Sequence, residues 1–185
     1  MAKIILITGG TRSGKSSLAL QIAEQQKPPH CFVATCRVTD PEMGERVSRH
    51  QRERDESIWT TVEEPLNLKN AISTDGSYST HIVDCLTLWV SNIMERSAGS
   101  GESSDEDVIS TALEQLFDHL EAIKTTVIFV TNEVGMGIVP ENRLARKYRD
   151  LVGICNRIVA LRADEVILVS CGLPLTLKTS QQGAP

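Results

Sequence analysis

Short apolar runs alternate along this chain with segments of helical periodicity. The runs are nearly continuous rather than interrupted by polar residues, which is typical of strands covered on both faces. Strands that alternate with helices predict an α/β fold, in which helices cover both faces of a mostly parallel central sheet. The predicted strands cover residues 3–8, 31–35, 59–62, 81–85, 125–131 and 165–169, and the predicted helices cover residues 15–26, 41–53, 66–73, 86–96, 104–124 and 142–163.

Two of the predicted helices carry start signals. Asp40 stands before Pro41, so a capping carboxylate precedes a proline at the first helical position. Ser103 and Glu106 have the S-x-x-E spacing of a capping box. We expect the polar stretch 97–107 to be a surface loop. The helix after it has an apolar stripe that we expect to face the core, made of Ile109, Leu113, Leu116, Phe117 and Leu120.

A glycine-rich segment joins the first predicted strand to the first predicted helix. It fits the phosphate-binding pattern G-x-x-x-x-G-K-[ST], with Gly9 and Gly14 at the glycine positions. In such a loop the backbone N–H groups and the helix N-terminus bind phosphate, Lys15 reaches the terminal phosphates and Ser16 ligates Mg²⁺. The chain is therefore predicted to bind a nucleoside triphosphate. The predicted contacts in the loop are Gly9, Gly10, Thr11, Arg12, Ser13, Gly14, Lys15 and Ser16.

A second part of the nucleotide site is predicted at Asp84. The apolar run that starts at His81 ends in this acid, and a helical pattern follows it. A P-loop needs a carboxylate near its serine to hold Mg²⁺. Ser16 and Asp84 are therefore the predicted metal-site residues, and the alternative for Asp84 is a simple helix cap.

Length and composition narrow the class of protein. We expect one domain over residues 1–185, in a fold like that of P-loop NTPases. The net charge of −5 gives no support for nucleic-acid binding. Five cysteines without a C-x-x-C pair, no evident signal peptide and no membrane anchor indicate a cytoplasmic protein with reduced thiols. Because no Asn-Lys-x-Asp motif is present, a small-molecule kinase or nucleotidyltransferase is favoured over a GTPase switch.

One predicted helix carries an unusual set of side chains. Arg46, His50 and Arg54 follow each other at intervals of four residues, so they lie close to one helical face. Guanidinium groups match phosphate oxygens, and positive charge beside an imidazole favours its neutral, nucleophilic form. The alternative is a solvated charged face with an idle histidine. The remaining histidines are expected to be structural or superficial, and they are His30, His81 and His119.

With these features together, the chain resembles the bifunctional adenosylcobinamide kinase / adenosylcobinamide-phosphate guanylyltransferase family of cobalamin biosynthesis. The likeness spans essentially the whole chain, and its most specific part is the block over residues 131–146. The segments that carry it are TGGTRSGKS at 8–16, DPEM at 40–43 leading to His50, WTTVEEP at 59–65, TNEVGMGIVPENRLAR at 131–146, YRD at 148–150, Gly153, Ala163-Asp164 and GLPL at 172–175.

The resemblance implies two reactions. ATP or GTP phosphorylates the aminopropanol hydroxyl of adenosylcobinamide, and GTP then gives GMP to His50 and on to the phosphorylated cobinamide. It implies catalytic roles for His50 and Lys15, and a homo-oligomer that is expected to be a trimer. Asn132 and Glu133 follow the predicted strand 125–131, and at this position in an open α/β sheet we expect them to face the corrinoid or the triphosphate. The alternative is that these two side chains only structure their loop. The nucleotide contacts that the resemblance implies outside the glycine loop are Ala34, Thr35, Cys36, Gln51, Arg52, Glu53, Arg54, Glu63 and Asp84.

Two other functions remain compatible with the residues alone. The first is an ordinary P-loop kinase for a small alcohol or nucleoside, in which His50 only contacts phosphate. The second is a nucleotide-sensing module without catalysis, which acts on a partner protein. Detection of a covalent GMP adduct on the protein would distinguish the bifunctional enzyme from both of these alternatives.

Overall fold

Seven strands of the described part of the chain form one central sheet. The computed structural model describes residues 1–37, 54–98 and 104–179. The spatial order of the strands is β3-β2-β4-β5-β1-β6-β7, and every neighbouring pair is parallel except the antiparallel pair β6 and β7. The strands are β1 Lys3–Gly9, β2 His30–Ala34, β3 Trp59–Glu63, β4 Thr80–Asp84, β5 Thr126–Val130, β6 Glu165–Ser170 and β7 Leu173–Lys178.

Helices cover both faces of this sheet. On one face, the described residues place α1 against an apolar cluster that includes Ile7, Ile82 and Val130. The other described helices pack on the opposite face, over a larger cluster that includes Val33 and Phe129. The three-layer α/β prediction is therefore confirmed. The described helices are α1 Lys15–Glu24, α2 Leu68–Ala71, α3 Leu86–Ser97, α4 Asp105–Glu121 and α5 Arg143–Arg162.

The helix starts agree with the sequence only in part. Ser104 caps α4, because its hydroxyl oxygen accepts a 3.2 Å hydrogen bond from the N–H of Asp107. The predicted capping box is thus one residue too early. Both ends of the stretch predicted as a loop are helical, because α3 includes Ser97 and α4 begins at Asp105. The expected apolar stripe of α4 is buried. The predicted helix over 41–53 and its Asp40-Pro41 start lie outside the described residues.

Strand β7 was not predicted from the sequence. It follows a two-residue turn of Cys171 and Gly172, both with positive φ, at 53° and 80°. Such a turn joins two antiparallel strands closely. Because β7 is an edge strand that exposes most of its residues, it lacks the apolar run that marks the other strands. Pro174 is tolerated there because an edge strand leaves backbone groups without ladder partners.

Candidate active site at the glycine loop

The loop between β1 and α1 has the backbone that its glycines predict. Gly9 and Gly14 have φ of 147° and 101°, a region that other residues rarely adopt. At Gly9 a Cβ atom would lie only 2.2 Å from the carbonyl oxygen of Val169 on β6. This glycine is therefore required by the close approach of a neighbouring strand, in addition to any approach to phosphate.

Lys15 folds back onto the loop. Its Nζ donates a 2.6 Å hydrogen bond to the carbonyl oxygen of Gly10, and the Ser13 hydroxyl lies 3.5 Å away. The residue is only 7% exposed. Burial lowers the pKa of Lys15, and the nearby Asp84 carboxylate opposes that shift. A polyphosphate would offer this amine an anionic partner in place of a carbonyl oxygen.

Ser16 and Asp84 meet as predicted. The Ser16 hydroxyl donates a 2.7 Å hydrogen bond to Oδ2 of Asp84, which ends β4. Strand β5 lies between β1 and β4, so the contact reaches across the carboxyl edge of the sheet. Open α/β sheets bind ligands at this edge. A hydroxyl and a carboxylate oxygen are also the ligand types that Mg²⁺ prefers, so the pair fits the predicted metal site.

The hairpin turn between β6 and β7 supports the loop from the side. The N–H of Gly172 donates a 2.9 Å hydrogen bond to the carbonyl oxygen of Ser13. Together with Val169 beneath Gly9, this turn fixes the loop at two points. Sequence reasoning missed both contacts, although the Cys171-Gly172 pair is a turn signal that precedes alternating leucines.

The end of β2 carries three of the predicted nucleotide contacts. Ala34 stands opposite Asp84 in the β2–β4 register, and the Cys36 thiol contacts the carbonyl oxygen of Arg37 at 3.5 Å. Thr35 is fully buried. Its hydroxyl bonds to the main chain of Cys85, so its side chain is engaged by the protein's own backbone. Glu63 is exposed at the end of β3, next to Ala34.

Arg54 is held against the sheet. It is 7% exposed, and its guanidinium carbon lies 3.7 Å from the centre of the Phe32 ring. It also donates a 3.3 Å hydrogen bond to the hydroxyl of Thr61. Its nucleotide contact stays a prediction, and so does its place on a face shared with Arg46 and His50. The other predicted residues of this segment lie outside the described residues, and they are Arg46, His50, Gln51, Arg52 and Glu53.

Asn132 and Glu133 follow β5, between the glycine loop and Asp84. The Asn132 amide donates a 3.3 Å hydrogen bond to the hydroxyl of Thr87. The Glu133 carboxylate accepts a 2.9 Å hydrogen bond from the N–H of Gly135, and its own N–H donates to the carbonyl oxygen of Gly9 at 3.0 Å. Asn132 is therefore bonded to α3 and Glu133 to its own loop, and the contact of either side chain with a ligand stays a prediction.

The three described histidines have structural contacts. The His30 ring stacks at a tilt on Trp59, and the ring of His119 lies 2.9 Å from the carbonyl oxygen of Ile72. His81 contacts the hydroxyl of Thr125 at 3.3 Å. Burial lowers the pKa of His81 to about 4, so its imidazole is neutral. These contacts agree with the structural roles expected for these residues.

A loop of this geometry, beside a carboxylate at the sheet edge, defines a P-loop enzyme that uses a nucleoside triphosphate. Residues 5–177 match the family described as cobinamide kinase / cobinamide phosphate guanyltransferase, and the chain belongs to that family. It is accordingly a bifunctional kinase and guanylyltransferase of adenosylcobalamin biosynthesis, as the sequence predicts.

Curated relatives match over nearly their full length. The bifunctional adenosylcobalamin biosynthesis protein CobP of Pseudomonas aeruginosa is 36% identical over 174 residues, covering 94% of this chain and 96% of its own. The corresponding CobU proteins of Escherichia coli and Salmonella typhimurium are 35% and 38% identical, each covering 95% of this chain and 99% of their own. The match therefore extends well beyond the glycine loop.

A solved structure supports the fold. The chain is similar to a prototypical ATPase from the type III secretion system of pathogenic bacteria, with a TM-score of 0.59 and 17% identity. The match covers 94% of this chain and spans 56% of that one. At this identity the likeness shows the α/β fold alone. Within the described parts of the chain, no helix is long and apolar enough to cross a bilayer.

Proposed function

We propose that the glycine-loop site serves two successive reactions on one corrinoid. In the first, the aminopropanol hydroxyl of adenosylcobinamide attacks the γ-phosphorus of ATP or GTP, loses its proton and releases the nucleoside diphosphate. In the second, His50 attacks the α-phosphorus of GTP, forms a phosphorus–nitrogen bond and releases pyrophosphate. The phosphate of adenosylcobinamide phosphate then attacks the histidine-bound GMP, which frees His50 and gives adenosylcobinamide-GDP.

The kinase step depends on residues of the described site. The loop amides and Lys15 bind the β- and γ-phosphates and offset the charge that develops between them. Ser16 and Asp84 would hold Mg²⁺, which neutralises phosphate charge when bound. The observation that carries this assignment is the 2.7 Å contact between the Ser16 hydroxyl and Asp84. It brings a hydroxyl and a carboxylate from distant parts of the sequence together beside the P-loop.

The guanylyl transfer depends on the segment that contains His50. The resemblance supports His50 as the residue that accepts GMP, and the flanking Arg46 and Arg54 suit a polyphosphate ligand. A covalent intermediate divides one difficult displacement into two easier ones. We further propose that Ala34, Cys36 and Glu63 form the guanosine side of the site. They lie at the carboxyl ends of β2 and β3, next to Asp84.

The decisive experiment is incubation of the protein with GTP labelled at the α-phosphate. We expect a protein-bound label that is stable to base and released by acid, which is the behaviour of a phosphoramidate on histidine. Phosphorylation of cobinamide without such a label would favour an ordinary P-loop kinase. Nucleotide binding with neither reaction would favour a sensing module.

The acceptor is expected to dock on the loop after β5. This loop begins beside the glycine loop, to which the Glu133 N–H is bonded, and it exposes three large apolar side chains. Met136, Ile138 and Val139 are 81%, 97% and 58% exposed, respectively. A corrinoid is a large ligand with apolar surface, and its hydroxyl has to reach the γ-phosphate. An apolar platform at the border of the phosphate site meets both requirements.

We also propose that the protein is a cytoplasmic homo-oligomer, with a trimer as the expected state. Edge strand β7 exposes Leu173, Leu175 and Leu177 at alternate positions, so they share one side of the strand. Exposed apolar edges of this kind favour association. All five cysteines are free thiols, which fits a reducing compartment. Sedimentation equilibrium of the parent and of Leu175→Lys would test the association through β7.

A further inference from the structure

A buried threonine holds the peptide group that follows the metal-site carboxylate. The hydroxyl of Thr35 accepts a hydrogen bond from the N–H of Cys85 and donates one to the carbonyl oxygen of Cys85, both at 2.8 Å. The N–H of Thr35 also donates to the carbonyl oxygen of Asp84 at 3.2 Å. Thr35 has no exposed surface. Its contacts therefore serve the chain around Asp84 and leave nothing of its side chain for a ligand.

The position of Cys85 explains why these bonds matter. β4 ends at Asp84 and α3 begins at Leu86, so at Cys85 the chain leaves the sheet. The N–H of Cys85 can no longer bond along a strand ladder, and it is buried. A buried N–H without a partner is costly. The Thr35 hydroxyl satisfies it from the neighbouring strand end, and so fixes the turn that directs the Asp84 side chain.

The same threonine is itself held from α3. Asn92 uses its side-chain amide to donate a 2.8 Å hydrogen bond to the carbonyl oxygen of Thr35, and a 3.0 Å bond to that of Pro65. Asn92 is 8% exposed. A continuous set of hydrogen bonds thus runs from Asn92 through Thr35 to the backbone at Asp84, whose carboxylate accepts from Ser16.

We propose that Thr35 is a positioning residue for the divalent cation, acting through the backbone of Asp84 and Cys85. The inference rests on the proposed role of Asp84 as the metal-binding acid. Hydrogen bonds behind a metal ligand orient it, and their removal typically costs about 10- to 100-fold in metal affinity or activity. Thr35 was predicted to contact nucleotide directly. Its hydrogen bonds indicate instead that it supports Asp84, the carboxylate that we propose binds the cation.

The test compares Thr35→Val with Thr35→Ser. Valine keeps the shape and loses the hydroxyl, whereas serine keeps the hydroxyl and loses only a methyl group. Mn²⁺ affinity is measured by electron paramagnetic resonance on the enzyme bound to a non-hydrolysable GTP analogue. We expect Thr35→Val to bind Mn²⁺ roughly 10-fold more weakly and Thr35→Ser to stay within about threefold of the parent. Kinase kcat at limiting Mg²⁺ should follow the same order.

A matched control separates positioning from stability. Thr80 is equally buried at the other end of β4, and its hydroxyl has no hydrogen-bond partner within the described part of the chain. Thr80→Val should leave Mn²⁺ affinity within about twofold of the parent. Equal Mn²⁺ affinity in Thr35→Val and the parent, with only a lower unfolding midpoint, would reduce Thr35 to a structural residue and overturn the proposal.

Asp84→Asn distinguishes this inference from the assignment on which it rests. If Asp84→Asn binds Mn²⁺ as well as the parent does, the metal site is wrong and the inference falls with it. If Asp84→Asn loses affinity while folded Thr35→Val does not, only the inference fails. If Thr35→Val does not fold, Asn92→Ala takes its place in the test. We expect Asn92→Ala to lower Mn²⁺ affinity too, but by a smaller factor. Unchanged Mn²⁺ affinity in Asn92→Ala would then contradict the proposal.

Discussion

The N–H of Gly172 donates a 2.9 Å hydrogen bond to the carbonyl oxygen of Ser13, which joins the β6–β7 turn to the glycine loop. Gly172 has φ of 80°, and a Cβ there would meet no atom within 4 Å. A substitution at this position therefore strains the backbone without causing a clash. The contact couples the β6–β7 hairpin to the loop that we propose binds phosphate.

Gly172→Ala should raise the KM for nucleotide several-fold, because the strained turn no longer holds the Ser13 carbonyl in place. Gly76→Ala is the matched control, since Gly76 has φ of 77°, equally open surroundings and no part in the site. Each substitution should lower the free energy of unfolding by roughly 1–2 kcal/mol, the cost of a left-handed conformation for a residue with a Cβ. Urea unfolding and steady-state kinetics measure the two effects, and an equal KM in both variants would argue against the hairpin's role.

The sequence predicts those parts of this site whose residues are close together in the chain. The glycine loop is a contiguous motif, and Asp84 is visible because an apolar run ends in an acid. The bond between Gly172 and Ser13 joins residues far apart in the chain, and the hydroxyl of Thr35 bonds to a backbone 50 residues away. A pattern of residue types carries no information about such pairings. Strand β7 was missed because its leucines alternate with other residues and do not form the continuous apolar run that marks the buried strands.

Lys15→Met should reduce phosphoryl transfer to cobinamide on the order of 10²-fold or more, because the loop loses the amine that we propose binds the β- and γ-phosphates. Lys27→Met, on the exposed chain after α1, is the control and should leave kcat unchanged. The measurement is kcat/KM for the kinase reaction, with circular dichroism to verify folding. Near-normal turnover by folded Lys15→Met would exclude the glycine loop as the site of phosphoryl transfer.

Ile138→Ser should raise the KM for cobinamide roughly 10-fold and leave the KM for nucleotide unchanged. Burial of an isoleucine side chain contributes about 1.5–3 kcal/mol, and the corrinoid would lose that contact. Leu161→Ser is the control, because Leu161 is 54% exposed on α5, close to its C-terminal end. The same rise in both variants, or none in either, would speak against the loop after β5 as the acceptor surface.

His81 should make the protein less stable in acid. Its pKa is lowered by burial to about 4, while the neighbouring Asp75 carboxylate opposes the shift and His119 adds to it. The unfolded chain takes up a proton near pH 6.5, so stability falls as the pH drops from about 6.5 to 4. The loss is at most about 3.5 kcal/mol, at about 1.4 kcal/mol for each pKa unit.

The comparison is between the parent and His81→Leu in urea unfolding at pH 7 and pH 4.5. Because leucine does not titrate, His81→Leu should show a smaller loss of stability between the two pH values. His30 also has its pKa lowered by burial, but its contribution is common to both proteins. Equal losses in the two proteins would mean that His81 does not control the acid sensitivity.

His50→Asn should lose the covalent GMP adduct and guanylyl transfer while it keeps measurable kinase activity. The two reactions use different phosphorus atoms, and phosphoryl transfer needs only the γ-phosphate held by the glycine loop and a positioned alcohol. Guanylyl transfer through an adduct needs a nucleophile. Adduct formation in the parent should also decline at low pH, because a protonated imidazole has no lone pair with which to attack.

His119→Asn is the matched control for that experiment. Its ring contacts the carbonyl oxygen of Ile72, far in the sequence from the segment that contains His50. GTP labelled at the α-phosphate measures the adduct, and phosphorylation of cobinamide measures the kinase. Labelled GMP on another residue of His50→Asn would exclude His50 as the nucleophile. Equal loss of both activities in a folded protein would instead make His50 a phosphate contact shared by the two reactions, since a residue that acts only as the guanylyl acceptor has no part in transfer of the γ-phosphate.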